Sequence, residues 1–115
     1  MIEELKRWGC DTDDAMGRML DDEDFYRECL MDIPADPYFA RLGEALKAHD
    51  IQTAFDAAHT LKGVLANLGL TPMYNTAVEI VEPLRAGRDE GLLPKFAELM
   101  KEKDRLENIL QTTQM

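Results

Sequence analysis

The stretch AFDAAHTLKGVLANLGL, residues 54–70, decides how the rest of the chain is read. At about 100° per residue, Ala54, Ala57, Leu61, Val64, Leu65 and Leu68 gather on one side of a helix, and that side belongs in a core. The spacing predicts one helix over Ile51 to Leu68, closed by Gly69. Its histidine, His59, lies almost opposite the apolar stripe. Around it sit Phe55, Asp56, Lys62, Gly63 and Ala66. A glycine inside a helix costs about 1 kcal/mol relative to alanine, and at Gly63 no packing benefit offsets that. Phe55 is a large apolar side chain off the core stripe, where a charged residue would serve a solvated face better.

Working outward, the same period recurs on both sides. Asp36 can cap a helix with Pro37 in its first turn, carrying Phe39, Leu42, Ala45 and Leu46 inward. Ala48-His49-Asp50 reads as the turn between that helix and the next, with His49 favouring the dipole at a helix C-terminus. Thr71-Pro72 opens a further helix, with Thr71 as its cap and Met73, Ala77, Ile80 and Leu84 as its stripe; Gly87 ends it. The last helix runs from about Leu92 to Leu110, with Leu93, Phe96, Met100, Leu106 and Ile109 or Leu110 facing in. Upstream, Asp11 or Thr12 caps a short helix with Ala15, Met16, Met19 and Leu20. A second short helix follows, carrying Phe25, Cys29, Leu30 and Ile33. No segment alternates with period two, so the fold class is all-α. Short turns between the last four helices predict an up-and-down four-helix bundle, with one or two short N-terminal helices covering an end.

The 115 residues suffice for one core, and a single domain over 1–115 is expected. The opening Met1 and the capped N-terminal helices favour a whole protein over a piece of a larger kinase. A hydrophobic content of 45% with 31% charged residues suits a globular chain. No apolar run has the length of a membrane span and no signal peptide opens the chain. A net charge of −10 repels nucleic acid and anionic membrane. Cys10 and Cys29 form neither a disulfide framework nor a metal spacing, and two histidines with two scattered cysteines assemble no zinc set. No glycine-rich phosphate loop is present, so no ATP site and no kinase activity of its own is expected.

A flat clearing of small residues holding a histidine, an apolar neighbour and a cation suits an imidazole that another protein approaches closely. Imidazole is nucleophilic and largely neutral at physiological pH, and Lys62 can balance charge on phosphoryl oxygens. The plain alternative at this point is an exposed histidine with no role. AHTLKG at 58–63, with NLGL at 67–70, resembles the signature of histidine-containing phosphotransfer (HPt) domains of two-component phosphorelays. DDEDFYRECLMDIPADPYFARLGEALKAHD, residues 21–50, resembles the segment before the active helix in single-domain bacterial members.

The resemblance implies that His59 accepts a phosphoryl group through Nε2, that Lys62 is the phosphate-side cation, and that Gly63 admits the partner. It implies docking through Phe55, Asp56 and Ala66. The partners it implies are response-regulator receiver domains and a hybrid sensor histidine kinase. It implies no cofactor bound by the chain itself, Mg²⁺ being supplied by the receiver, and a cytosolic monomer. Many family members hold Nδ1 with a polar side chain about 22 positions after the histidine; here that residue is Val81. Glu79 and Glu82 beside it either orient the imidazole or are simply solvated. A transfer-inactive helical adaptor that binds receiver or kinase domains is the alternative function.

Overall fold

A computed structural model describes residues 1–112, which form seven helices and no strand: α1 (Ile2–Trp8), α2 (Thr12–Arg18), α3 (Glu23–Met31), α4 (Pro37–Lys47), α5 (Ile51–Asn67), α6 (Thr71–Arg85) and α7 (Leu92–Thr112). α4 packs on α5, α5 on α6 and α6 on α7, and α7 returns to α4. The short connections make consecutive helices antiparallel, which gives the expected four-helix bundle. Three short helices precede it rather than one or two. α1 has no counterpart in the sequence reading, because its seven residues bury only Leu5 and show little periodicity.

Capping explains most of the helix starts. Asp11, Asp22, Asp36 and Asp50 each accept a backbone N–H of the first turn, and Pro37 opens α4. α6 departs from this pattern. Leu70 occupies the capping position, and the Thr71 hydroxyl donates to the Gly69 carbonyl instead. Gly43 of α4 is overlaid by the Phe96 ring of α7, so the two helices approach closely there.

The core bears out the stripes of α4 and α6 and shifts three others. In α7 the buried residues are Leu92, Leu99, Leu106 and Leu110, at seven-residue steps with one of four, while Leu93 is exposed and Phe96 and Met100 are half-buried. In α3 the buried aromatic is Tyr26, fully enclosed, and Phe25 faces outward. Leu20, expected inside, is 89% exposed, because α2 stops before it and its backbone turns left-handed at φ 56. Val64 and Cys29 are half-buried at the core's edge. No helix among the described residues is long and apolar enough to cross a membrane.

Candidate functional site

α5 begins where the Asp50 carboxylate receives the Thr53 N–H at 3.2 Å. Bonds from Thr53 to that carboxylate hold the Asp50 pKa below its ordinary value. From this fixed start Ala54, Ala57, Ala58, Leu61 and Leu65 go to the core, which places His59 at mid-helix in solvent. Ala58 is the one buried residue here that the stripe did not include. Gly63, one turn on, is exposed, and a Cβ there would meet nothing within 4 Å. Ala66 follows on the same face, also exposed. The clearing expected around the histidine is therefore present.

The neighbours of His59 differ from expectation in three ways. Phe55 is half-buried and packs against the core, so it is not a purely solvent-facing group. Its ring meets the His59 ring at a centroid distance of 5.5 Å and a tilt of 32°. Arg85, at the end of α6, lies over the Phe55 ring at 5.2 Å. Sequence reading missed Arg85, although the signal was available. If α5 and α6 fold back about residue 70, position 81 stands level with 59 and position 85 with 55. Lys62 is half-buried and, among the described residues, has neither an ion pair nor a hydrogen bond. Two cations therefore stand near the imidazole of a chain whose net charge is −10.

The two glutamates offered for the ring nitrogen are engaged elsewhere. Glu79 pairs with Lys95 of α7, raising the Lys95 pKa, and Glu82 pairs with Arg85 at 3.5 Å. Val81, at the position resembling the family's polar group, is fully buried. Among the described residues no hydrogen bond reaches His59, and its ring contact is with Phe55. Asp56 is exposed and accepts from Gln52 Nε2 at 3.0 Å. His49 is remote from the site. It directly follows the α4 C-cap Ala48 with φ 56, its N–H bonds to Leu46 O at the helix end as the sequence suggests, and its Nδ1 pairs with Asp89 at 2.9 Å, joining two connections of the bundle.

The far end of α5 shows a second feature that periodicity could not reveal. The last carbonyls of an α-helix lack partners within it. Here the following turn supplies the partners of Val64 O, Leu65 O and Ala66 O, and the N-terminal segment adds further donors at this end. Arg18 donates from Nη2 to Ala66 O and from Nε to Asn67 O, each at 3.0 Å. Tyr26 Oη donates to Leu68 O at 2.7 Å, and the Asp11 N–H to Gly69 O at 2.8 Å. Burial, reinforced by Cys10, holds the Tyr26 phenol protonated well above its usual range. Burial likewise pushes the Cys10 thiol up to about 11. Among the described residues no three histidine, cysteine, aspartate or glutamate side chains gather as a metal site.

No curated protein and no solved structure matches the chain. A family model described as the Hpt domain matches residues 24–114, from the first turn of α3 onward. That span takes in the four-helix bundle and the whole clearing around His59, and the chain belongs to the Hpt domain family, the histidine phosphotransfer modules of phosphorelays.

Proposed function

We propose that His59 is the phosphoacceptor of a relay intermediate, taking a phosphoryl group from the phospho-aspartate of one receiver and passing it to the aspartate of another. Hpt domains work with response-regulator receivers and kinases. The observation that carries the reading is the exposed mid-helix imidazole beside Gly63, where nothing stands within 4 Å of an added Cβ. In-line transfer needs two protein surfaces close enough for the nitrogen to reach phosphorus, and that gap admits them.

In the tautomer protonated on Nδ1, the lone pair of Nε2 faces the donor. An Nε2–P bond forms as the bond from phosphorus to the aspartyl oxygen breaks, and the electron pair leaves with the aspartate carboxylate. The reverse sequence discharges the histidine to the next receiver. Phe55 keeps the ring from turning into the helix surface. Lys62 offers a point charge to the phosphoryl oxygens, and Arg85 can reach the same region from α6. Asp56 and Ala66 belong to the docking rim. Glu79 and Glu82 are left to their own cations, so ring orientation is assigned to Phe55. Mg²⁺ is supplied by the receiver; the chain contributes a nucleophile, a cationic flank and a shape. The module acts as a monomer in the cytosol, as one domain, charged through a hybrid sensor kinase.

The test is incubation with a labelled phospho-receiver. Label that is acid-labile and alkali-stable is expected on the wild type and is abolished by His59→Gln with an unchanged circular-dichroism spectrum. Label persisting in that variant at the wild-type level refutes the assignment. Tight docking with no transfer would leave an adaptor instead.

A further inference from the structure

The imidazole of His59 stands in solvent, and among the described residues neither of its ring nitrogens is bonded to the protein. The charged groups around it are committed elsewhere. On α5, Asp56 accepts from Gln52, and Lys62 brings a cation. On α6, Glu82 pairs with Arg85 at 3.5 Å, and Glu79 pairs with Lys95 of α7. α4 brings Arg41 and Glu44 to α5 at Thr53, before the histidine. On α2, Asp14 pairs with Arg18 near the far end of α5. Val81, level with His59 on α6, is apolar and fully buried. The Phe55 ring, 5.5 Å from the imidazole, adds packing but no acceptor for a proton. The same chain shows the other arrangement at His49, whose Nδ1 meets the Asp89 carboxylate at 2.9 Å.

We infer that the phosphoryl group stored on His59 is gated by a proton that the ring exchanges with water at Nδ1, so that discharge slows as pH rises past neutrality. This rests on the assignment of His59 as the acceptor. Loading starts from the tautomer with its proton on Nδ1. When the Nε2–P bond forms, that proton is left on a cationic ring. A carboxylate against Nδ1 would keep it there. With no acceptor from the protein, it passes to solvent water, and a neutral phospho-imidazole remains. Discharge reverses these events. Water returns a proton to Nδ1, the Nε2–P bond breaks, and its electron pair stays on Nε2. Phosphorus passes to an oxygen of a receiver carboxylate or of water, and neutral imidazole is left. Without the proton the same cleavage would expel imidazolate, a far stronger base and a poorer leaving group. The protonated fraction of the ring therefore multiplies the discharge rate.

The experiment loads the His49→Gln protein with phosphoramidate, which phosphorylates imidazole directly and releases ammonia. The phosphohistidine is then followed by phosphorus NMR between pH 6 and 9. Loss of phosphate is expected to fall about tenfold for each pH unit above neutrality. The same protein unfolded in urea is expected to give a parallel profile, since the fold holds no proton on the ring. The nitrogen shift of Nδ1 moves in one step over the same range. Glu82→Gln leaves the profile unchanged, because the carboxylate it removes belongs to Arg85. A rate indifferent to pH in the folded protein but not in urea overturns the inference. So does an Nδ1–H resonance that persists to pH 9, or a profile that Glu82→Gln displaces by a full unit, since either shows the protein holding the proton. The His59 assignment has a separate readout, transfer from the loaded protein to Mg²⁺-bound receiver domains of the same genome. Transfer to one of them with pH-indifferent hydrolysis refutes the gate alone. Transfer to none refutes the assignment, and the gate falls with it.

Discussion

At Gly63 stability and function are set against each other. The backbone is ordinary helix and the space around a new side chain is empty. Gly63→Gln therefore gains up to about 1 kcal/mol of helix propensity. The same side chain stands in the path of a docking receiver, so transfer falls while the urea midpoint rises; both moving together would show that Gly63 does not set the approach. The exposure of the histidine and the glycine was legible from the wheel, because a residue opposite a stripe faces water, while the lysine at the edge of that face is half-buried. The ring contact was not. Phe55 sits at the border of the stripe, where 100° steps cannot say whether a large ring folds inward, and the structure tucks it half under Arg85. The cations that pair with the two glutamates were not legible for a related reason. The glutamates' charge and position were correct, but Lys95 lies on a helix whose register could not be read from its own sequence.

Among elements, the hinge between α5 and α6 is the most constrained. Gly69 has φ 69, and a Cβ there would come within 2.2 Å of the Asp11 carbonyl oxygen. Gly69→Ala therefore combines backbone strain with a clash against main chain that cannot rotate away. A loss of about 3 kcal/mol is expected in urea unfolding. The helix pattern of the bundle was visible in sequence because each long helix has its own stripe. Two kinds of error remained. In α7, consecutive Leu92 and Leu93 leave the phase open, and only packing against α4 and α6 chooses Leu92. In α3 the pair Phe25-Tyr26 is equally ambiguous, and it is resolved by a hydrogen bond 42 residues away in sequence, from Tyr26 to Leu68.

The whole molecule carries that buried phenol into its response to alkali. Tyr26 and Cys10 keep their protons in the folded state beyond their ordinary values of 10.0 and 9.0. The unfolded chain releases those protons first as pH rises, so it binds fewer protons than the native state and stability falls with pH. Their contribution is complete below pH 9 and is lost through the range above 10. Tyr26→Phe costs about 1 kcal/mol at neutral pH by leaving Leu68 O without its donor. The variant then declines less steeply than the wild type between pH 9 and 11, as urea titrations at the two values would show. Equal slopes would place Tyr26 in contact with water.

Three of the four contacts at the end of α5 come from residues ahead of the family match: two from Arg18 and one from Asp11. A chain trimmed to the outline of its kin would begin after both. It would keep the bundle and every residue around His59, yet leave the Asn67 carbonyl without Arg18 and reduce Ala66 O and Gly69 O to their local partners, the Gly69 N–H and the Thr71 hydroxyl. The last turn of the helix that presents the imidazole would then fray independently, where in the full chain it opens only when α2 undocks. The family match thus leaves out residues 1–23, three of whose contacts bear on the C-terminal end of the helix that presents the histidine.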